Sequence, residues 1–348
     1  MTDNPIAERL GERRGERRGG PLIASRGDPR GSPLIASRGE RRDPPLAGAI
    51  VCAVVVTYHP DPGFPARLSR IAAQASATII VDNGSSDAEL QVLRTAAAAT
   101  GTPIVLLANG ENLGVARALN LGIGRALGDG YAWALLMDQD TVADPDMVQG
   151  LLAAGDSCRD TARIAIVGSR FRDTEGHPNR IARLEAKGEL WEEVESVITS
   201  GSLLSLQAYT AVGPFRDEFF IDHVDTEFCF RARAKGYRVL QTLRPLMSHT
   251  VGSPTRHKLL WSTKWTTNHS PDRRYYSARN NTVLLREFGT SGSPWQWKSF
   301  MRSIRQMKRI ALYEDDKVRK ILAVGQGWWD GVRGTMGPRR LRRNTRIG

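Results

Sequence analysis

The chain has 348 residues, 41% of them hydrophobic and 25% charged, with a formal net charge of +12, enough length to bury a sizeable core in one large α/β domain or two. No run approaches the roughly 18 apolar residues of a membrane-spanning helix, and the N-terminus has no apolar signal core, so a cytoplasmic location is expected. Its three cysteines, Cys52, Cys158 and Cys229, form an odd count without metal-type spacing, which argues against a disulfide framework and against zinc.

The charge is unevenly spread. Residues 1–46 carry 10 basic and 7 acidic side chains, residues 295–348 carry 14 and 4, and the segment between carries 25 and 26. The basic C-terminal part suits nucleic acid or an anionic membrane surface, and charge alone does not choose between them.

Residues 1–46 repeat Gly-Glu-Arg-Arg and Pro-Leu-Ile-Ala-Ser-Arg-Gly. Such Gly-, Pro- and Arg-rich text cannot bury enough surface to offset chain entropy, and a disordered extension is expected. From Gly48 apolar runs alternate with amphipathic ones. Ala49 to Val56 reads as a buried strand that ends at Thr57-Tyr58-His59-Pro60-Asp61, and a helix follows over Pro65 to Ala73. A second strand, Thr78 to Val81, runs into Asp82-Asn83-Gly84-Ser85-Ser86-Asp87, which also offers a cap for a helix over Glu89 to Ala98. A third, Ile104 to Leu107, leads through Asn109 to Gly114 into a helix from Val115 to Leu127.

The fourth run, Ala132 to Met137, breaks abruptly into Asp138-Gln139-Asp140. Two carboxylates that close repel each other, and a divalent cation with oxygen ligands, Mg²⁺ or Mn²⁺, holds both ionised. Strand, helix, strand, helix at this spacing predicts a right-handed parallel sheet whose strand ends line one edge, where ligands bind. Thr57, His59, Asp82, Asn112, Arg117, Asp138 and Asp140 then share that edge. Asp82 can accept a hydrogen bond from a pyrimidine N–H, and Asn112 and Arg117 open a helix whose N-terminus favours phosphate. An Asx-turn for Asp82 and a solvated surface place for Arg117 are the plainer alternatives.

The runs Val-Val-Thr-Tyr-His-Pro, Val-Asp-Asn-Gly-Ser-Ser-Asp, Asn-Leu-Gly-Val-Ala-Arg-Ala-Leu-Asn and Asp-Gln-Asp, in this order, resemble the family 2 inverting glycosyltransferases of the GT-A fold, and within them the bacterial rhamnosyltransferases. The resemblance covers about residues 50–290. It implies an α/β fold with a mostly parallel sheet flanked by helices, base and ribose contacts from Thr57, Asp82 and the loop before Gly114, and a cation at Asp138 and Asp140.

Farther on, Met147 to Ala154 reads as helix and Ile164 to Gly168 as strand. Val197 to Ser205 reads as a strand with small residues at its middle, so that Ser200 and Gly201 are candidates to shape an acceptor pocket. In Phe219 to Arg231, Asp222 or Asp225 can start a helix, with Arg231 able to pair back along it. The resemblance implies a catalytic base here: counting back from Arg231 selects Asp225, and Val224 in place of the usual glutamate keeps Asp222 as a rival. It also implies His249, after the strand that starts at Tyr237, as a third metal ligand. The Asp272 to Asn281 cluster looks like an element common in rhamnosyltransferase relatives, and Arg274, Tyr275 and Arg279 suit a diphosphate or a lipid-linked acceptor phosphate, with helix packing as the alternative. Finally, Trp295 to Leu312 sets Trp297, Ile304 and Met307 against Lys298, Arg302, Arg305 and Lys308, the pattern of an interfacial amphipathic helix.

The expected organisation is a disordered segment over 1–46, a catalytic domain over 47–290 (donor half 47–145, acceptor half 146–290), and a basic helical extension with an arginine-rich tail over 291–348. The expected activity is metal-dependent transfer of L-rhamnose from dTDP-L-rhamnose to a lipid-linked saccharide of a bacterial surface polysaccharide, at the cytoplasmic face of the membrane and without a nucleic-acid partner. The rivals are a galactofuranosyltransferase using a UDP-sugar, a basic nucleic-acid-binding protein and a catalytically inactive sugar-nucleotide sensor.

Overall fold

The computed structural model describes residue 46 and residues 48–172, 184–249, 255–259, 262–266, 268–289 and 294–339, with the backbone alone at 249, 255–259, 262–266, 294, 296 and 300. The expected N-terminal disorder and the arginine-rich tail beyond 339 lie outside the described residues.

The first half follows the hydrophobic pattern closely. Strands β1 (Val51–Thr57), β2 (Ala77–Asp82), β3 (Ile104–Ala108) and β4 (Trp133–Asp138) alternate with helices α1 (Phe64–Ala72), α2 (Asp87–Ala98) and α3 (Val115–Gly128). They pair in the order β3-β2-β1-β4, all parallel. β1 is buried on both faces, as a central parallel strand must be. Its residues alternate with period two: Cys52, Val54 and Val56 face one core with α3, while Val51, Ala53 and Val55 face another with α1 and α2. Ser86 and Glu89 close a capping box on α2, so the turn cluster after β2 is bonded at both ends.

The second half adds β5 (Thr141–Ala143), α4 (Met147–Asp156), β6 (Ile164–Phe171), β7 (Trp191–Glu193), β8 (Ser202–Ser205), α5 (Leu206–Val212), α6 (Val224–Ala234) and β9 (Arg238–His249). The sheet continues β4-β8-β6-β9-β5, with β7 against β9. Only β6 and β9 pair in parallel there, so the sheet is parallel on the donor side and mixed on the other. The strand expected over 197–205 is shorter than its apolar text. Gly201, at φ +73°, and the bond from Ser202 N–H to the Thr199 carbonyl make a turn before β8 begins. The backbone of β10 (Thr255–Leu259) and β11 (Ser262–Thr266) forms an antiparallel hairpin.

Three helices follow among the described residues: α7 (Pro271–Phe288), α8 (Pro294–Tyr313) and α9 (Lys317–Arg333). Nothing in the sequence reading anticipated α9. It lies along α7 with glycines at the crossing: a Cβ on Gly327 would strike the Tyr275 carbonyl, and one on Gly331 would come within 2.6 Å of Thr282 Cβ. Glu314, between α8 and α9, is buried between Arg274 and Lys320, and Lys320 also donates to Asn268. Packing continues across the expected boundary at 290, and described residues on both sides of it belong to one compact unit.

Candidate active site

The C-terminal ends of β1, β2 and β4 meet a cavity of about 520 Å³, within the usual range for a small-molecule site. Its floor is built by side chains that tie loops together. Gln139 bonds the Tyr58 backbone in both directions, accepting from its N–H at 2.8 Å and donating to its carbonyl at 3.0 Å. Asn83 donates to Asn112 Oδ1 at 2.9 Å and accepts from Asn109 and from Leu113 N–H, so the loops after β2 and β3 are joined through one amide. Gly114, at φ +84°, begins α3 where a Cβ would lie 2.6 Å from the Phe220 ring, which admits the acceptor-side loop to the donor side.

Asp138 and Asp140 both line the cavity. The Asp138 N–H donates to Ser200 Oγ at 3.0 Å, and that hydroxyl meets Thr141 Oγ1 at 2.7 Å. Ser200 is thus buried behind the aspartates, bracing them, rather than facing an acceptor. Gly201 is packed against Met247 and Met147, likewise away from the cavity. The backbone of His249 is paired with Thr141, one residue from Asp140; its side chain lies outside the described residues. Among the described residues no three His, Cys, Asp or Glu side chains converge as a metal cluster, so the pair of carboxylates is the only part of the expected ligand set in view. Its hard oxygen donors fit Mg²⁺ or Mn²⁺.

Facing the same cavity are the segment before α6, with Asp222 and His223, and the first turn of that helix, with Asp225. Its backbone is strained: Phe220, Asp222 and His223 all have φ near +60°, at about 1–2 kcal/mol each for a residue with a Cβ. Such a path persists only when neighbours over-determine it. Here α7 does so. Asn280 donates from one amide nitrogen to the carbonyls of Phe219, Ile221 and Asp222 at 2.8–2.9 Å. Arg279, fully buried, donates to the carbonyls of Glu218, Phe219 and Gly337. On the opposite side the Phe220 carbonyl accepts from Val115 N–H at 2.7 Å.

The carboxylates on this loop differ. Asp222 is ion-paired to Arg273 at 3.2 Å. Burial pushes the Asp225 carboxyl above the usual carboxylate range, against the pull of His223 and of bonds from Thr226. Burial also lowers His223, so its imidazole is neutral near pH 7.

Several expected contacts fall elsewhere. Asp82 is buried and accepts from Gly84 and Ser85 N–H, Ser85 Oγ and Thr57 Oγ1; these bonds form an Asx-type turn and hold Thr57, which lines the cavity. His59 points to Glu89 at 3.0 Å, and bonds from Ser86 and this histidine hold Glu89 down at about 2. Arg117 pairs with Asp217 at 2.7 Å on the surface. Arg274, Tyr275 and Arg279 are corrected from phosphate contacts to scaffold: Arg274 is buried on Glu314, Tyr275 donates to Asp330 at 2.8 Å, and Arg279 holds the loop. The element turns its polar groups inward because α9 covers it. Of this cluster only Arg273 reaches the cavity. The sequence reading assigned no role to Tyr58, Gln139, His223, Arg273 or Asn280. The doubled arginine at 273–274 was the available signal for Arg273; nothing local marks Asn280.

The profile of the family described as Glycosyl transferase family 2 matches residues 52–209. A dTDP-rhamnosyl transferase RfbF of Shigella flexneri is 30% identical over 253 residues, covering 68% of this chain and 80% of that protein. Solved structures of S. aureus TarS are also similar: one at 14% identity and TM-score 0.45, of which this chain spans 44% while 76% of it is covered, and residues 1–349 in complex with UDP at 14% identity and TM-score 0.45, covering 84% and 93%. With a relative at that identity across four fifths of its length, and motifs at the ends of β1, β2 and β4 around one cavity, the chain belongs to glycosyl transferase family 2 and is a glycosyltransferase.

Proposed function

We propose that this enzyme transfers L-rhamnose from dTDP-L-rhamnose, with inversion, to a lipid-linked saccharide in the synthesis of a bacterial surface polysaccharide. The sugar assignment is supported by the similarity to the RfbF protein of Shigella flexneri. The observation that carries the chemistry is that Asp138 and Asp140, from the end of β4, and Asp225, from the start of α6, line one cavity.

In this reading Thr57, Tyr58 and Asn112 contact the nucleoside, and Asp138 and Asp140, with His249, would hold Mg²⁺ or Mn²⁺. A divalent ion held there would supply positive charge for the departing diphosphate. Asp225 takes the proton of an acceptor hydroxyl as its oxygen bonds to the anomeric carbon, and the bond from that carbon to the diphosphate oxygen breaks on the opposite face. Its raised pKa suits a base that must hold that proton. Asp222, engaged by Arg273, positions that arginine beside the cavity.

The test is a screen of donor hydrolysis and transfer across dTDP-, UDP- and GDP-sugars, with and without Mn²⁺. The expected result is metal-dependent turnover of dTDP-rhamnose, reduced roughly 10²–10³-fold by Asp140→Ala with the melting temperature kept. Preference for a UDP-sugar would replace the donor assignment. If no sugar nucleotide is turned over or raises the melting temperature, the reading fails.

A further inference from the structure

Helix α9 has two unlike faces. The inner one, Lys320, Ala323, Gly327 and Gly331, is buried, with both glycines seated against α7. The outer one carries Val318, Leu322, Trp329 and Val332, which are 71%, 67%, 56% and 61% exposed. Their spacing of four, seven and three, with Gly325 between, confines them to an arc of about 80° at 3.6 residues per turn, opposite the glycines. Four large apolar side chains aligned on one exposed stripe are more than a scatter of surface hydrophobes, and such a patch marks a binding surface.

Charge identifies what covers it. Lys317, Arg319 and Arg333 are exposed beside the stripe, and the Arg333 guanidinium lies 4.3 Å over the Trp329 ring. α8, which packs against α9 through Ile310, Met307, Ile321 and Val324, has no acidic residue and exposes Lys298, Arg302, Arg305, Lys308 and Arg309. It also exposes Trp297 and Leu312. Asp330, the one acid within α9, accepts from Tyr275 instead of facing out. A second copy docked symmetrically would set these cations against their own images. A phosphate-rich surface neutralises them, while tryptophans and aliphatic side chains enter its interfacial layer. No helix among the described residues is long and apolar enough to cross a membrane.

We propose that the outer face of α9, with the basic face of α8, docks this enzyme onto an anionic lipid surface. The inference adds to the lipid-linked acceptor reading without resting on it, since it holds whichever sugar the cavity takes.

Flotation of the full chain with vesicles tests it, comparing phosphatidylcholine alone with phosphatidylcholine containing phosphatidylglycerol. The expected result is binding that needs the anionic lipid, weakens with salt and drops at least about tenfold in the double variant Leu322→Asp, Trp329→Asp, with melting temperature and donor hydrolysis unchanged. The milder Leu322→Ser, Trp329→Ser pair gives a smaller drop in the same direction and serves if the first pair fails to fold. Binding that survives both pairs is contact through charge alone and overturns the proposal. So does binding equal on neutral vesicles, or a concentration-dependent dimer, seen by sedimentation, that the substitutions abolish in a protein that never floats.

Discussion

The two walls of the cavity are built in different ways. On the donor wall polar groups are fixed within their own turn or by the strand-end loop beside them: Asp82 by Gly84 and Ser85, Asn112 by Asn83, Tyr58 by Gln139. On the acceptor wall the loop carrying Asp222, His223 and Asp225 takes up unfavourable backbone angles that it cannot hold alone, and α7, some sixty residues onward, holds them through Arg279 and Asn280. The donor wall tolerates the loss of one bond better, because apart from His59 its positive-φ positions, Gly84, Gly110 and Gly114, are glycines, which adopt such angles freely. The acceptor wall, braced remotely, tolerates it less.

Substitutions can break or sharpen that contrast. The largest effect belongs to Asp225→Asn, which removes the proposed base and lowers kcat by roughly 10²–10⁴-fold with donor KM little changed; Asp222→Asn, measured in the same initial-rate assay, loses far less. Next is Asn280→Ala. It removes the amide donor from the Ile221 and Asp222 carbonyls and one of several donors from that of Phe219, destabilises the fold by about 1–3 kcal/mol in denaturant titration, and lowers kcat about 10- to 100-fold by analogy with supports of a reacting group. The matching change on the donor wall, Asn83→Ala, raises donor KM and leaves kcat within a few-fold; equal kcat losses in the two variants would refute the contrast.

Acidity provides a finer probe. Because burial raises Asp225, its carboxylate forms only above the ordinary range, so the acidic limb of kcat/KM for the wild type lies above that of a solvent-exposed aspartate near 3.9. Asp222 contributes to that rise by like charge, so Asp222→Asn shifts the limb to lower pH. The smallest effect is on stability. His269, beside α7, is lowered to about 4 by burial and by Arg273 and Arg274. Its neutral form is favoured in the fold, so its contribution is complete above the unfolded value near 6.5 and is lost as pH falls towards 4. Melting temperature should decline over that window, and His269→Asn should flatten the decline.

The same contrast explains what could be read from the residues in order. β1 to β4 announce themselves as apolar runs, and their ends carry the motifs, so the donor wall follows from text within each strand and turn. Asp138, Asp140, Thr57 and Asn112 all line the cavity as that text suggests. The errors came where a side chain's partner is distant. Arg274 and Arg279 have the composition of a phosphate site, and only α9, packed over them, makes them internal. That helix was missed because its face against α7 is lysine, alanine and glycine and four of its large apolar residues, Val318, Leu322, Trp329 and Val332, face outward, the reverse of the usual amphipathic signal. Asn280 was missed because an asparagine inside a helix gives no sign of whose carbonyls it will meet.

The glycine crossing of α9 on α7 gives the far end of the chain authority over turnover. Adding one methyl group at Gly327 would drive the two helices apart at Tyr275, and the displaced ridge bears the amide and guanidinium that keep the base aimed. A shortened version stopping at Phe288 would keep every residue that lines the cavity and lose the splint that holds one of them steady.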